Sequence, residues 1–286
     1  MRCRARTENM QKLILLLLSF SLTVPSIAAN HAVLPIRLHR GFLVVFDCAI
    51  PPLEKLACVL DTGAFRTVVD TEVANRLRLQ SVPDEAFAAV RRVQVQRAEL
   101  EQITFGTTTV RSLPVLVLDL TTFSNAVGVA IDAVVGIDVL RQHSVTIDYR
   151  KRELRFDETI TADTSVALDP DSPYPLLPIK VGDDTLRLLL DTGADAISLF
   201  EGHVPARLRG ADLMEASGSS AAGAVRAKAI RAMDVQVGAR KLARQTVFVV
   251  PVEVGFKAYN GHFGVRALGA SWFHFDFSRR QISWGR

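Results

Sequence analysis

The residues of this chain whose types and spacing could support catalysis lie in two copies of one tetrapeptide, Asp-Thr-Gly-Ala. The first copy begins at Asp61 after the apolar run 56–60, and the second begins at Asp191 after the apolar run 188–190. Two carboxyl groups that share one proton can work together, because the ionised group takes a proton from water while the neutral group donates one to a carbonyl oxygen. The repeated motif therefore predicts two catalytic carboxyl groups, Asp61 and Asp191, that act together as acid and base on a water molecule and a carbonyl group.

The chain repeats around these motifs at a nearly constant offset. The motifs lie 130 positions apart, and the segment 134–136 (Val-Val-Gly) returns as 262–264 (His-Phe-Gly) after 128 positions. The apolar pattern of 147–156 returns at the same offset in 275–284. A period of this length indicates one duplicated domain rather than a solenoid of short repeats.

In these motifs, and in the apolar-apolar-Gly segment that follows each of them, the sequence resembles the aspartic peptidases. Alanine after the glycine of both motifs is similar to the retroviral branch of that family, and the resemblance covers roughly residues 35–286. It implies a mainly β fold of two duplicated acid-protease lobes. Each lobe would be a closed β-barrel of the retropepsin or pepsin type, with the active site at the lobe junction.

Six further residues are expected to support the two aspartates. Thr62 and Thr192 should hydrogen-bond across the lobe junction. Because glycine lets backbone segments approach closely, the glycine of each motif should lie near the carboxylates and donate to them, and the later glycine should pack beside the motif. These four glycines are Gly63, Gly193, Gly136 and Gly264.

The predicted activity is that of an aspartic endopeptidase that binds a peptide or protein substrate in an extended conformation. A catalytically weak or inactive peptide-binding relative of the same fold is the alternative, because extended-strand recognition needs only a cleft and its backbone groups. Intact motifs in both lobes favour the enzyme, since a binding protein has no physical need for two facing carboxylates. Because both motifs lie in one chain, a monomer is expected.

Other chemistries find little support in the sequence. The six histidines show no metal-ligand spacing such as HExxH, and the chain has no Gly-x-Ser-x-Gly segment for a serine nucleophile. Neither a metal ion nor a cofactor is therefore expected. His262 is interpreted as a packed or hydrogen-bonded residue near the cleft, with tuning of the site as the alternative.

The net charge of +4 does not indicate a nucleic-acid-binding surface. Residues 1–29 carry a net charge of +3, so the rest of the chain carries only +1. The basic clusters at 91–92 and 150–152 are typical of a solvated strand face and a hairpin turn, whereas a nucleic-acid-binding protein should show a basic patch on its folded domain. No nucleic acid is therefore expected as a partner.

The first 29 residues have the pattern of a secretory signal peptide. A basic segment precedes an apolar stretch of about a dozen residues, and small residues at 26–29 offer a cleavage site. A helix that spans a bilayer needs about 20 apolar residues, so a retained membrane anchor is the alternative rather than the expectation. The mature protein should begin near Asn30 or His31 and be periplasmic or secreted, without stable insertion into a membrane.

The remainder of the chain is predicted to form two lobes. Residues 30–157 are the N-terminal lobe and 175–286 the C-terminal lobe, with an interlobe linker at 158–174 that is rich in Asp, Thr, Ser and Pro. The small-residue stretch 216–224 is interpreted either as a flap hairpin over the cleft or as a surface loop. Between residues 87 and 100 the first lobe lacks the glycine-rich flap tip and the tyrosine of pepsin-like enzymes.

Cys48 and Cys58 are the two cysteines of the expected mature chain. They flank a predicted turn at 50–55, so a hairpin would place them opposite one another. Export would permit a disulfide between them, and two buried free thiols are the alternative.

The pattern of apolar residues predicts mainly strands, with three short helical segments. The predicted strands are 42–49, 56–60, 89–95, 115–120, 144–149 and 153–156 in the first lobe and 176–181, 186–190, 247–252, 272–277 and 281–284 in the second. The predicted helical segments are 70–77, with Asp70 as the N-cap, 136–141 and 264–270.

Overall fold

Strands dominate the computed structural model, as the sequence predicts. The structure describes residues 33–88, 91–162, 164–208, 213–220, 223–252 and 258–286. The predicted signal peptide lies outside these ranges. Within them, no helix is long and apolar enough to cross a membrane.

The first lobe begins with three strands that run up to the first motif. Its strands are β1 (Val33–His39), β2 (Leu43–Ile50), β3 (Leu53–Leu60), β4 (Val68–Asp70), β5 (Ser81–Ala88), β6 (Arg91–Phe105), β7 (Thr108–Leu118), β8 (Ala133–Val135), β9 (Ser144–Asp148) and β10 (Glu153–Phe156). Its helices are α1 (Thr71–Arg76), α2 (Thr121–Val127) and α3 (Ile137–Leu140). The predicted cap of α1 is confirmed, because the Asp70 carboxylate accepts from the N–H of Glu72.

The second lobe repeats this series of strands. They are β11 (Ser165–Ala167), β12 (Leu176–Val181), β13 (Asp184–Asp191), β14 (Ile197–Phe200), β15 (Met214–Ser220), β16 (Gly223–Val237), β17 (Arg240–Val250), β18 (Gly261–Gly264), β19 (Trp272–Asp276) and β20 (Gln281–Gly285). Short 3₁₀ turns occupy Glu201–His203, Ala206–Leu208 and Val265–Leu268. The predicted helical segment 264–270 is thus a single 3₁₀ turn.

Strand order confirms the duplication. The first lobe has the order β2-β3-β8-β4-β7-β6-β5, and the second has the corresponding order β12-β13-β18-β14-β17-β16-β15. An additional pairing of β2 with β6 closes the first sheet, and a pairing of β12 with β16 closes the second. Both lobes are therefore acid-protease barrels of the same topology, as the fold class predicted from the sequence requires.

A shared sheet joins the lobes, in the order β1-β10-β9-β19-β20-β11. Its central pair is antiparallel, with Thr146 of β9 opposite His274 of β19. β11 pairs with β20 as β1 pairs with β10, so the predicted linker 158–174 contains a strand and is more than a connection. This strand was not predicted from the sequence, because its three residues are largely exposed and show no alternation of apolar and polar residues.

Two long hairpins, β5–β6 and β15–β16, account for the largest differences from the predicted strands. Of the predicted strand 89–95, residues 91–95 lie in β6 and residues 89–90 lie outside the described ranges. Of the stretch 216–224, residues 216–220 lie in β15, residues 223–224 lie in β16, and 221–222 lie outside the described ranges; the two strands pair from Met214 opposite Ala229 to Ser220 opposite Gly223. The described residues therefore form a hairpin rather than an irregular surface loop. Exposed, polar strands carry little apolar signal, which explains why the pattern misses most of both hairpins.

A disulfide joins Cys48 to Cys58, although the two residues are not directly opposed. The register pairs Cys48 with Leu56 and Cys58 with Phe46, so the cysteines are diagonal neighbours with their Cα atoms 5.9 Å apart. The turn is shorter than predicted, since two residues separate β2 from β3. The bridge is buried and ties β2 to the strand that leads into the first motif.

Candidate active site

The two Asp-Thr-Gly-Ala motifs meet where the lobes join. Asp61 follows β3 directly, and Asp191 is the last residue of β13. Each of these strands pairs in parallel with a later strand of its lobe, β3 with β8 and β13 with β18, which fixes both strand ends inside a barrel. The carboxyl groups of Asp61 and Asp191 are hydrogen-bonded to one another, and we call this pair the dyad.

The glycine of each motif contacts both carboxyl groups of the dyad. The N–H of Gly63 donates to Oδ1 of Asp61 at 2.8 Å, and the N–H of Gly193 donates to Oδ1 of Asp191 at 2.8 Å. A Cβ atom on Gly63 would lie 2.7 Å from the carboxyl carbon of Asp191. A Cβ atom on Gly193 would lie 2.8 Å from that of Asp61. The close approach of the two turns therefore requires glycine at both positions.

Four reciprocal hydrogen bonds tie the two motifs together beneath the dyad. The hydroxyl of Thr62 donates to the carbonyl of Leu190 at 2.7 Å and accepts from the N–H of Thr192 at 3.1 Å. The hydroxyl of Thr192 donates to the carbonyl of Leu60 at 3.0 Å and accepts from the N–H of Thr62 at 2.9 Å. Both threonines are buried. The cross-lobe hydrogen bonds expected from the sequence are present.

The two later glycines pack against the motifs and not against the carboxyl groups. A Cβ atom on Gly136 would lie 2.7 Å from the carbonyl oxygen of Ala64, and one on Gly264 would lie 2.7 Å from that of Ala194. A residue with a side chain at either position would push the adjacent motif turn outward. The six supporting residues named from the sequence thus form two layers around the dyad, while Cys48 and Cys58 lie apart from it on β2 and β3.

Removal from water controls the protonation of the dyad. Burial, followed by the charge of Asp191, raises the pKa of Asp61. Burial also raises the pKa of Asp191, but hydrogen bonds to its ionised form oppose the increase. Their donors are the Gly193 N–H, the Asp61 carboxyl group and the Ala194 N–H. The two carboxyl groups therefore titrate as a pair that shares one proton, and both side chains keep a partial opening to solvent.

Sequence reasoning missed a buried polar pair behind the first motif. The N–H and the hydroxyl of Thr67 donate to the two carboxylate oxygens of Asp138, both at 2.9 Å, and the N–H of Gly136 donates to the Thr67 hydroxyl at 3.2 Å. At the offsets of the duplication, the corresponding second-lobe residues are Ile197 and Arg266. The signal was present in the sequence, since Asp138 is a lone carboxylate in an apolar segment.

An aromatic cluster beside the dyad was also not predicted. Phe65, directly after the first motif, stacks on Tyr174 with ring centroids 4.1 Å apart and meets Tyr259 edge-on at 6.3 Å. Phe65 thereby links the first lobe to the second. His262 packs edge-on against Phe200, with ring centroids 5.3 Å apart, and it is hydrogen-bonded as well, which agrees with its interpretation from the sequence.

The carboxyl groups of the dyad accept hydrogen bonds from the backbone N–H groups of the motif glycines. Within the ranges described above, no three His, Cys, Asp or Glu side chains are grouped so as to hold a metal ion. A protonated and an ionised carboxyl group in contact can exchange protons with a bound water molecule and with a carbonyl oxygen.

Comparisons with known proteins agree with this arrangement. Residues 54–142 match the sequence profile of the family described as "gag-polyprotein putative aspartyl protease". The fold matches the crystal structure of the aspartic proteinase from Irpex lacteus with a TM-score of 0.56 and 9% sequence identity, over 90% of this chain and 97% of that one. No curated protein matches the chain. The family match and the fold confirm the resemblance to the retropepsin-like aspartic proteases, and they support a peptidase of the aspartic class.

Loss of either motif threonine should destabilise the protein. Thr62→Val or Thr192→Val leaves a buried carbonyl and a buried N–H without partners, and each such group costs about 1–3 kcal/mol. We expect the free energy of unfolding in urea to fall by roughly 2–6 kcal/mol for each variant. Thr62→Ser keeps the hydroxyl and should lose far less, so equal losses in the valine and serine variants would contradict this role.

The dyad should make the protein less stable as the pH rises. A pKa that is raised in the folded state favours the protonated form, so the stabilisation is complete below the ordinary Asp pKa of about 3.9 and is lost as the pH rises through the raised value. The double variant Asp61→Asn/Asp191→Asn has no titrating group at either position, so it does not lose this stabilisation as the pH rises. The free energy of unfolding of the double variant, measured relative to that of the wild type, should therefore increase as the pH rises from 4 to 8. The increase should be about 1.4 kcal/mol for each unit by which folding raises a dyad pKa. A difference that stays constant with pH would show that the dyad pKa values are not raised.

Proposed function

We propose that this protein is an aspartic endopeptidase in which Asp61 and Asp191 activate one water molecule. The ionised carboxyl group of the pair takes a proton from the water as the water attacks the carbonyl carbon of the peptide. The protonated carboxyl group gives its proton to the carbonyl oxygen in the same step. Collapse of the resulting diol, with transfer of a proton to the nitrogen, breaks the C–N bond and leaves the dyad singly protonated again.

The observation that carries this proposal is the contact between two desolvated carboxyl groups, one from each lobe. Like charges in contact cannot both ionise readily, so the pair holds an acid and a base at the same point. A peptide-binding relative would gain nothing from this arrangement, because burial of two ionisable groups lowers stability at neutral pH. We therefore favour the enzyme over the catalytically weak or inactive peptide-binding alternative.

We also propose that the substrate binds as an extended peptide to a single chain. Each lobe supplies one aspartate and one long hairpin, β5–β6 or β15–β16. An extended segment can pair its backbone with strand edges and place alternate side chains in pockets. Because one chain carries both motifs, the active species should be a monomer made of lobes 30–157 and 175–286, and its specific activity should not fall on dilution.

Replacing either aspartate should abolish cleavage. A carboxyl group and an amide cannot exchange acid and base roles, so Asp61→Asn and Asp191→Asn should each lower kcat/KM for a fluorogenic peptide by about 10²–10⁴-fold. The exposed Asp47 on β2 provides the control, since Asp47→Asn makes the same chemical change outside the dyad. A statine-type inhibitor should abolish the wild-type activity.

Circular dichroism should show that the variants remain folded. A single dyad variant that keeps more than about a tenth of the wild-type kcat/KM would refute the assignment. A wild-type protein that binds members of a peptide library but cleaves none of them would favour the peptide-binding relative.

Export is a separate part of the proposal. It is supported by the signal-like pattern of residues 1–29 and by the Cys48–Cys58 disulfide, since structural disulfides persist in oxidising compartments. N-terminal sequencing of the protein recovered from the periplasm or the medium should begin near Asn30 or His31. Recovery of the intact N-terminus from the membrane fraction would favour the retained anchor instead.

A further inference from the structure

A small pocket in the first lobe carries charged side chains close to the first motif. Its volume is about 250 Å³, and its lining residues are Arg66, Asp84, Arg97, Pro114, Val115 and Leu116. Typical small-molecule sites have volumes of roughly 300–1,000 Å³, so this pocket is better suited to one side chain of a peptide than to a free ligand. We call it the arginine pocket.

The arginine pocket is within reach of a peptide bound at the dyad. Arg66 follows Asp61 by five residues, and five residues span at most about 18 Å even when fully extended. The backbone of Arg66 belongs to the same turn, because a Cβ atom on Gly136 would lie 2.7 Å from the carbonyl oxygen of Ala64 and 2.8 Å from that of Arg66. An extended peptide advances about 3.4 Å per residue, so a side chain within about five residues of the cleaved bond can reach Arg66.

Strand pairing brings the other walls of the pocket to Arg66. The N–H of Leu116 on β7 donates to the carbonyl of Thr67 at 2.9 Å, and Arg97 on β6 lies opposite Leu116. Asp84 on β5 forms an ion pair with Arg97, with its Oδ2 atom 3.6 Å from Nε. The pocket is thus built from the residues that follow the motif, from β7 and from the long hairpin β5–β6.

Positive charge is in excess in the arginine pocket. Its lining includes two guanidinium groups and one carboxylate, and in the part of the chain that the structure describes no carboxylate forms an ion pair with Arg66. The ion pair of Arg97 with Asp84 is exposed and longer than a hydrogen bond, so the N–H groups of Arg97 can still donate to a ligand. A guanidinium group can bind a carboxylate through two parallel hydrogen bonds.

Alanine occupies the three equivalent positions of the second lobe. Arg97 lies opposite Leu116, and Ala229 lies opposite Phe248, so the hairpins of the two lobes correspond at an offset of 132 residues. The counterparts of Arg66, Asp84 and Arg97 are Ala196, Ala216 and Ala229, respectively. The charge therefore belongs to one lobe and not to the fold that both lobes share.

Building on the peptidase function proposed above, we propose that the arginine pocket binds an acidic side chain of the substrate. Arg66 and Arg97 then select peptides that carry Asp or Glu at one position, within about five residues of the cleaved bond. The alanines of the second lobe give no such selection on the other side of that bond. Asp84 weakens the selection, because its carboxylate competes with the peptide for Arg97.

A series of matched peptides tests this selection. Each peptide is capped at both ends and carries a single Glu or Gln, placed in turn at each of five positions on either side of the cleaved bond. At pH 6, where a Glu side chain is ionised, kcat/KM should favour Glu over Gln by about 2–10-fold at one position. Salt at 1 M should reduce this preference, because it screens exposed charges. A series in which no position favours Glu would overturn the proposal.

Variants of the pocket separate charge recognition from a structural role. Arg66→Gln should remove most of the preference for Glu, Arg66→Glu should favour Lys at the same position, and Asp84→Asn should strengthen the preference for Glu. The side chain of Arg66 is exposed, so these variants should remain folded. Arg111→Gln is the matched control, because Arg111 on β7 is exposed and donates to Gln102 at 2.6 Å. An unchanged preference in Arg66→Gln, or an equal loss for the Glu and Gln peptides, would overturn the proposal.

Peptide binding to Asp61→Asn/Asp191→Asn tests the pocket without cleavage. In calorimetric titrations at pH 7, the best Glu peptide should bind this variant about 2–10-fold more tightly than its Gln counterpart. Addition of Arg66→Gln should remove the difference. If the difference is present although the wild type cleaves no peptide, the proposed peptidase function fails while the acidic-side-chain pocket stands. If no Glu peptide of the series binds more tightly than its Gln counterpart, the proposal is overturned whatever the activity.

Discussion

Contact between two desolvated carboxyl groups is the constraint on which the rest of this structure depends. Two such groups repel each other when both are ionised, and one shared proton removes the repulsion. Burial raises the pKa of both carboxyl groups, and hydrogen bonds from the backbone N–H groups of the motif glycines oppose the increase. The threonine hydrogen bonds and the close-packed glycine turns hold the two motifs in this contact.

Duplication explains how the chain meets this constraint. Each stabilising contact occurs twice and crosses the junction between the lobes. The threonine of one motif is hydrogen-bonded to the backbone of the other lobe, and the glycine of one motif packs on the aspartate of the other. Two equivalent turns that face each other place their carboxyl groups at one point without further adjustment. The shared sheet, in which β9 pairs with β19, holds the lobes in this arrangement.

The symmetry is broken where the lobes support their motifs. The first lobe braces its motif with the buried pair Thr67 and Asp138, whereas the second places His262, Ser198 and Tyr259 beside the dyad. Two identical lobes would give two identical carboxyl environments. The two carboxyl groups of this dyad therefore lie in different surroundings.

The sequence by itself determined the repeated motif, the duplicated β fold and the glycines at points of close approach, because these depend on residue type and on long, regular spacing. It did not determine β11 or most of the hairpins β5–β6 and β15–β16, whose exposed residues carry no apolar pattern. The diagonal register of Cys48 and Cys58 came from the short turn between β2 and β3, which composition does not fix. The partner of Asp138 and the raised pKa values of the dyad were decided by the tertiary structure, because burial and hydrogen bonding join residues that are far apart along the chain.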